Sequence, residues 1–455
     1  MCQIVYVPAV TASLASSAPM TAGCGARVGS GLAGFVCVVA LASALLGRPA
    51  FADEWARPRI DLAMPPDDPE ATSAGPKPAR PWSRACSTRH AFCVLSRDTN
   101  EQTLLATLTA TDRAWETLTQ TLGVPPPAGE WGEPWRLFLV DEVEGGGTSR
   151  ATGRDPLARL DRATSFGMVE RATPPGCALD VAVARAVARG SLLASAPATD
   201  EGSAVAGTEA LARLAGTCAT GDEEASTFQA NPEITVVDAA DPAFERGASA
   251  FFDWLDARFA SEPGALVSAL WALSPTISPF GATKWAAKPT GFDVLRLSLK
   301  GALWPDSTLD DVLVRFAVQR ALAMPPAHLA WDLPWPAAAR RLASPRPTAP
   351  TGASLVLVHH DGAPPGAKLR LIAQWEDYGR MRWVVLKLGP SAEPLAQIDV
   401  TSADRATRAA IDVEGLDGVD RLLVVGVNLG SIEYPFDPGQ GAWVPHGWLL
   451  TLETE

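Results

Sequence analysis

Apolar side chains recur with a period near 3.6 residues through much of the chain between residues 99 and 320, which predicts helices. The first helix is predicted to begin near Thr99 and to end before Gly123, since Pro125 follows closely. Two shorter apolar runs, 135–140 and 166–169, predict strands. Further helices are predicted at 177–193, at 204–214 and along the stripe Phe244, Ala248, Phe251, Phe252, Leu255 and Phe259.

Beyond residue 352 apolar and polar side chains alternate, so the period of the apolar positions changes from about 3.6 residues to two. Three prolines fall within 344–350, where they disfavour both helix and strand pairing, so a linker is predicted at 344–352. Alternating runs then predict seven strands at 354–359, 368–375, 382–388, 397–400, 409–413, 421–427 and 448–452. This spacing is typical of a β-sandwich of the immunoglobulin or fibronectin kind. The predicted fold class is therefore α+β, with a mainly helical domain at 86–343 and an all-β sandwich at 353–455.

The N-terminus has the pattern of a cleavable secretory signal peptide at residues 28–52. Arg27 precedes an uncharged apolar run at 31–46, and the small residues before Asp53 place the predicted cleavage after Ala52. The stretch before Arg27 carries no charge, which leaves open whether translation starts at Met1 or Met20.

A transmembrane anchor is the alternative interpretation of this run. The run of 16 residues is shorter than the roughly 20 that span a bilayer. We therefore expect a secreted or periplasmic protein of the cell envelope, with no stable membrane anchor after cleavage. Residues 53–85 are rich in proline, aspartate and alanine without periodicity, and predict a disordered lead-in.

The net negative charge of the chain argues against two kinds of partner, nucleic acid and anionic lipid. The chain has a net charge of −13, and its first 52 residues contain two arginines and no acid, so the predicted mature protein is more acidic still. Such a surface repels nucleic acid and anionic lipid. Arginine far outnumbers lysine, and alanine, glycine and proline are abundant, which is typical of a GC-rich bacterial genome.

Four cysteines follow the predicted cleavage site, namely Cys86, Cys93, Cys177 and Cys218. Four cysteines allow three pairings. We favour Cys86 with Cys93 and Cys177 with Cys218, because each pair is close in sequence and flanks one helix or turn. A metal site would need shorter spacings or nearby histidines, and only His90 is near. The cysteines therefore predict structural disulfides formed in an oxidising compartment.

The order of elements resembles secreted metallopeptidases of the gluzincin, or peptidase MA-like, type with an attached β-sandwich. The resemblance covers about residues 99–320 and is carried by the strand at 136–140, the helix at 177–193, Asp200-Glu201-Gly202 before the next helix, and the segment 244–255. It implies a helix with the motif His-Glu-x-x-His, in which two imidazoles hold zinc and the glutamate activates its water.

The chain departs from that motif completely. Residues 176–190 contain no histidine or glutamate, and their only charged side chains are Asp180, Arg185 and Arg189. Glu201 stands where the resemblance would put a third zinc ligand, but one carboxylate does not make a zinc site. We therefore expect a degenerate site with Glu201 as its remnant, without metal or other cofactor. The ordinary interpretation of Glu201 is an acidic residue in the first turn of a helix, where the dipole favours it.

No other catalytic motif takes its place. Ser249 lies in a sequence close to G-x-S-x-G, but Phe251 occupies the last position and the segment has a helical period. No glycine-rich phosphate-binding loop follows a predicted strand. None of the histidines has a metal-binding partner at helical spacing. They are His90, His328, His359, His360 and His446.

Two weaker ligand sites are also indicated. The acidic loop 141–144, which three glycines follow, is predicted to be flexible and is a candidate Ca²⁺ site, although exposed acidic loops are ordinary in acidic proteins. Aromatic side chains in a sandwich are mostly core, but those in its last loop are candidates for stacking on sugars. The candidate ligand-binding residues there are Tyr434, Phe436, Trp443 and His446.

Three functions are compatible with these patterns. The leading hypothesis is an exported, non-catalytic protein that binds an unknown protein or glycan partner or forms part of the envelope. The second is a hydrolase with a site around Glu201 and distant carboxylates, and the third is carbohydrate binding by residues 351–455. Apolar side chains beside Glu201 would favour the first, and converging histidines or paired carboxylates the second.

Overall fold

The structure is a computed structural model that describes residues 60–63, 82–97, 100–155, 158, 160–216, 218, 222–239, 241–275, 285, 289–300, 308–323, 328–400, 406–431, 436–438 and 444–454. All of them belong to one unit of the chain, Ala50–Glu455. The predicted signal peptide, its cleavage site after Ala52 and most of the predicted lead-in at 53–85 lie outside these residues. The described residues of that lead-in, 60–63 and 82–85, belong to paired strands and not to a disordered segment. Within the described ranges, no helix is both long and apolar enough to cross a membrane.

A mixed six-stranded sheet forms the first layer. Its strands are β1 (Ile60–Ala63), β2 (Trp82–Cys86), β3 (Phe92–Ser96), β4 (Trp135–Val140), β5 (Gly147–Arg154) and β6 (Ala163–Glu170). The spatial order is β1-β2-β3-β4-β6-β5. Strands β3, β4 and β6 are parallel, and the others run antiparallel to their neighbours. Strand β4 is apolar on both faces and almost wholly buried, which is what a central parallel strand requires.

Nine α-helices are described between residues 101 and 322, and the first two of them pack on this sheet. They are α1 (Glu101–Trp115), α2 (Cys177–Ser195), α3 (Glu201–Ala215), α4 (Asp222–Ala230), α5 (Pro242–Gly247), α6 (Ser249–Phe259), α7 (Ala265–Ala272), α8 (Gly291–Lys300) and α9 (Leu309–Leu322). Helix α1 begins where the Asn100 side chain accepts hydrogen bonds from the backbone N–H groups of Gln102 and Thr103. Helix α2 packs on β5 and β6, and α3 packs on α2. The predicted helices at 177–193 and 204–214 are thus α2 and α3.

Two further sheets form the C-terminal part of the chain, which agrees with the predicted α+β class. They have the orders β12-β11-β14-β9-β7 and β13-β10-β15-β8. The strands are β7 (Trp331–Leu333), β8 (Arg340–Ala343), β9 (Ala353–His359), β10 (Leu369–Trp375), β11 (Gly379–Leu388), β12 (Pro394–Val400), β13 (Arg408–Val413), β14 (Arg421–Ser431) and β15 (Trp448–Thr454). The seven strands predicted from the alternating runs are β9 to β15.

The proline-rich segment 344–352 is an ordered connection within these sheets. Strands β7 and β8, which precede it, pair with β9 and β15, so the sandwich sheets begin earlier than predicted. Thr348 exchanges backbone hydrogen bonds with His446, and the Thr351 N–H donates to the carbonyl of Asn428. Apolar residues of the helices and of β9, β11 and β14 share one core. The division into two domains near residue 344 stays a prediction.

Two disulfides join Cys86 to Cys93 and Cys177 to Cys218, which are the predicted pairs. The first crosses between the neighbouring strands β2 and β3, so it closes a β-hairpin. The second ties the start of α2 to the residues that follow α3. It therefore holds together the two helices that carry four of the charged side chains described next.

Candidate functional site

A cleft of about 1100 Å³ lies between the acidic turn 141–146, the edge strand β5 and helices α2, α3 and α5. We call it the β5 cleft. Glu201 and the acidic loop 141–144, which the sequence indicated separately, both line this cleft. Other charged side chains, among them Glu209 and Glu245, line it as well. Its charged lining consists of six carboxylates and four guanidinium groups. They are Asp141, Glu142, Glu144, Glu201, Glu209 and Glu245, and Arg150, Arg185, Arg189 and Arg246.

Helix α2 places two arginines in the β5 cleft, and each forms an ion pair with a carboxylate of α3. Arg185 and Arg189 are four residues apart and therefore lie on one face of the helix. Arg185 donates two hydrogen bonds, from Nε and Nη2, to the carboxylate of Glu209 at 2.6 and 2.9 Å. Arg189 Nη2 donates to Glu201 Oε2 at 2.7 Å. The arginines thus neutralise two of the six carboxylates.

The two ion pairs differ in burial. The Glu209 side chain is only 2% exposed, whereas that of Glu201 is 59% exposed. Arg213 makes a longer contact of 3.7 Å with Glu209, and Arg185 Nη1 also donates to the carbonyl of Gly145 at 2.8 Å. The inner pair therefore connects α2, α3 and the acidic turn, while the outer pair lies at the mouth of the cleft in contact with water.

Glu201 is the first residue of α3, where its ordinary interpretation placed it. The preceding residue, Asp200, caps the helix by accepting a hydrogen bond from the Ser203 N–H at 2.8 Å, and burial raises the pKa of Asp200. A Cβ added at Gly202 would meet the backbone of Val237 at less than 3.0 Å. The sequence Asp200-Glu201-Gly202 is therefore explained by the capping and close packing of α3.

Strand β5 forms the open edge of the six-stranded sheet along the cleft. Among the described strands it pairs with β6 alone, and residues 147–151 line the cleft. An edge strand leaves alternate backbone N–H and C=O groups unpaired. The glycines at 145–147, which predict a flexible loop, instead form a tight turn and the start of this strand.

Gly147 allows β5 to approach α2 closely. A Cβ at this position would meet the main-chain carbonyl of Ala182 at less than 3.0 Å, and a helical carbonyl cannot move aside. We expect Gly147→Ala to lower the free energy of unfolding by about 1–3 kcal/mol, as overpacking does. Gly153→Ala on the same strand is the matched control, because an added Cβ there contacts nothing within 4 Å. Equal unfolding midpoints in urea for the two variants would contradict the close contact.

Glu245, like Glu209, is a buried carboxylate of the β5 cleft. It lies on α5 and is 7% exposed, and it accepts no hydrogen bond from the described part of the chain. Arg246 contacts Glu224 instead, at 3.5 Å. Burial, and after it the charges of Glu201 and Glu144, raise the pKa of Glu245 from 4.5 to about 7.

The histidines and Ser249 lie outside the β5 cleft. His90 stacks on Phe92 and Trp115, and His359 Nε2 is 2.7 Å from Asp332 Oδ1. His360 Nδ1 contacts a backbone carbonyl. Ser249 is fully buried at the start of α6. None of these side chains is placed to act on a molecule in the cleft.

Two of the four residues proposed for ligand binding in the last loop of the sandwich, Phe436 and His446, are buried. Phe436 is 5% exposed and packs edge-to-face on Phe292, with ring centroids 5.4 Å apart. It is a core residue because the helices and the five-stranded sheet meet around it. His446 is 6% exposed, with Nδ1 3.3 Å from Glu376. Tyr434 and Trp443 lie outside the described residues.

The acidic loop 141–144 is engaged in other contacts. Asp141 forms an ion pair with Arg171, and Glu144 begins a 3₁₀ turn. Among the residues that the structure describes, no group of three or more His, Cys, Asp or Glu side chains is arranged to hold a metal ion.

No protein-family model matches the chain, and no curated protein sequence matches it. Among solved structures it is similar to the pre-peptidase C-terminal domain of a collagenase from Bacillus anthracis, with a TM-score of 0.17 and 8% identity over 28% of this chain and 96% of that one. It is also similar to the enzymatically active domain of tailspike protein 4 from bacteriophage CBA120, with a TM-score of 0.16 and 12% identity over 25% of this chain and 15% of that one. A CBM4 structure has a TM-score of 0.16 and 13% identity over 26% of this chain and 82% of that one. The first and third are β-rich, and at these TM-scores none of the three identifies a function.

Proposed function

We propose that this chain is an exported, non-catalytic binding protein, and that the β5 cleft is a degenerate metallopeptidase site that holds an extended polypeptide segment without cleaving it. The observation that carries the proposal is the pairing of Arg185 and Arg189 with Glu209 and Glu201. Under the resemblance to gluzincins that the order of elements indicates, the residues Arg185 and Arg189 have the spacing of the two histidines in His-Glu-x-x-His, and Ala186 has the position of the glutamate.

The chemistry of these side chains explains why such a site would be inactive. A guanidinium group stays protonated and has donors only, so it offers no lone pair to a metal ion. Ala186, which stands where the motif has its glutamate, offers no base to activate water. The carboxylate of Glu201, the counterpart of the third ligand, is hydrogen-bonded to Arg189. Internal cations thus take the place that a metal ion has in the active enzymes.

Strand β5 supports a polypeptide as the bound molecule. An extended segment can pair with the unpaired backbone groups of an edge strand, which supplies affinity without requiring one side-chain sequence. Residues 147–151 of this strand and the acidic turn both line the cleft. Support for export comes from the signal-peptide pattern at residues 28–52 and from the two disulfides, which form in oxidising compartments.

Metal analysis of the purified protein tests the proposal. After exposure to zinc and removal of the excess, we expect no stoichiometric metal and no hydrolysis of an unstructured protein such as casein. Stoichiometric zinc with peptidase activity that is lost in Glu201→Gln would overturn the proposal.

A restored motif provides the positive control. Arg185→His and Arg189→His, combined with Glu209→Gln to avoid a buried uncompensated charge, should produce a protein that binds zinc; Ala186 is left unchanged because it is fully buried in the core. The same variant with Glu201→Gln should bind it more weakly. A restored variant that keeps the circular dichroism of the wild type and binds no zinc would show that the resemblance to gluzincins is wrong.

A second candidate function is hydrolysis by paired carboxylates. It is favoured by Glu245, whose raised pKa of about 7 suits a general acid, and by the nearby charges of Glu201 and Glu144. Against it, Glu201 is hydrogen-bonded to Arg189. Metal-independent hydrolysis of a peptide or polysaccharide that disappears in Glu245→Gln would establish this function in place of the first.

A further inference from the structure

We infer that the β5 cleft takes a cationic group, an alkylammonium or guanidinium, which binds to the carboxylate of Glu245. The inference rests on the proposed function, since it specifies what the binding cleft selects. It is carried by an acidic side chain that is buried, lines the cleft and lacks a partner in the described chain.

The position of Glu245 is the first step. The residue is 7% exposed and still lines the cleft. The carboxylate of a residue buried to this extent is stabilised by hydrogen bonds or a cation from the protein, or else by what occupies the cleft. Glu245 accepts no hydrogen bond from the described residues. The open side of its carboxylate therefore faces the space that a bound molecule would fill.

The arginines of the cleft do not supply the missing cation. Arg185 and Arg189 are held by Glu209 and Glu201, and Arg246, next to Glu245 in sequence, contacts Glu224. Arg150, the fourth arginine of the lining, is exposed on β5. Four guanidinium groups accompany six carboxylates in the cleft, so an incoming cation meets an excess of negative charge.

Neighbouring groups reinforce this preference. After burial, which contributes most, the charges of Glu201, Glu144 and Asp238 raise the pKa of Glu245, while that of Arg246 lowers it. A cation bound here would be attracted by Glu144 as well as Glu245. The same chemistry is offered by a lysine or arginine side chain of a polypeptide and by a free polyamine.

Binding of defined probes tests the inference on the full mature chain. The probes are terminally blocked, fluorescent heptapeptides of alternating valine and threonine with lysine, norleucine or glutamate at the centre, and free spermidine as the small-amine source. We expect the lysine peptide to bind at least about tenfold more tightly than the norleucine peptide. Glu245→Gln should remove that difference.

Glu262→Gln is the matched control, because it removes the same charge from an exposed residue that does not line the cleft. If Glu262→Gln weakened binding of the lysine peptide as much as Glu245→Gln does, the loss of affinity would come from the change in net charge, and the inference would fail. Equal affinity of wild type for lysine and norleucine peptides would overturn the inference and leave peptide binding standing. Glu245-dependent binding of spermidine without peptide binding would support the inference and refute the proposed function. No binding of any probe would overturn both.

Discussion

Replacing Arg185 by alanine is expected to lower the free energy of unfolding by about 3–5 kcal/mol, the range for a broken buried ion pair. The carboxylate of Glu209 is 2% exposed and would keep only the contact of 3.7 Å with Arg213. The variant would also lose the hydrogen bond to Gly145 that fixes the acidic turn. Chemical denaturation followed by circular dichroism measures the difference.

Arg189→Ala on the same face of α2 is the matched control. Its partner Glu201 is 59% exposed, so the loss should stay below about 1 kcal/mol, as for other solvated ion pairs. Replacing both members of the inner pair, Arg185→Met with Glu209→Met, should recover most of the stability because no charge is left buried. Similar losses for Arg185→Ala and Arg189→Ala would show that burial does not separate the two pairs.

Local periodicity predicted the elements whose burial follows a simple pattern. Helix α2 is apolar around most of its surface, and strands β9 to β15 alternate or are apolar throughout, so their sequences alone predict them. Strand β4 has the same bounds in sequence and structure because it is apolar on both faces. The disulfide pairs followed from sequence proximity.

Elements fixed by distant partners could not be predicted in this way. Strand β5 reads Gly-Thr-Ser-Arg-Ala-Thr-Gly-Arg, with few apolar positions, and becomes a strand because β6 and α2 lie against it. Strand β7 has three residues and pairs with β9. The proline-rich segment looks like a linker locally, yet the Ala349 N–H donates to the carbonyl of Glu233, more than a hundred residues away.

The candidate site was predicted in part. Glu201 was singled out by the family resemblance, and the structure places it at the mouth of the β5 cleft. The sequence also held a signal for its partner, since Arg185 and Arg189 are four residues apart on one helix. Glu201 and Glu209 are separated by little more than two helical turns on the next. Glu245 carried no comparable signal, because its burial depends on how α5 packs against α3 and α4.

Glu245→Gln is expected to stabilise the protein above neutral pH and to have little effect below pH 4.5. The pKa of Glu245 is about 7 in the folded protein and about 4.5 in the unfolded chain, so the folded state holds the proton more tightly. As pH rises from 4.5 to 7 the unfolded state ionises first, and the wild type loses stability until both states are ionised. Glutamine does not titrate, so the free energy of unfolding of the variant does not fall in this way as pH rises.

The expected gain at pH 8 is about 2 kcal/mol, less than the roughly 3 kcal/mol that the pKa difference alone would give, because water reaches the cleft. The charges that set the effect are Glu201 on α3, Glu144 in the acidic turn, Asp238 before α5 and Arg246 on α5. Urea unfolding at pH 4 and pH 8 measures it, with Glu262→Gln as the control for removing one carboxylate from an exposed position. A Glu245→Gln variant whose stability differs from wild type equally at both pH values would mean that Glu245 titrates normally. In that case water would solvate its carboxylate well enough without a bound cation. The same measurement therefore also tests whether Glu245 binds a cationic group.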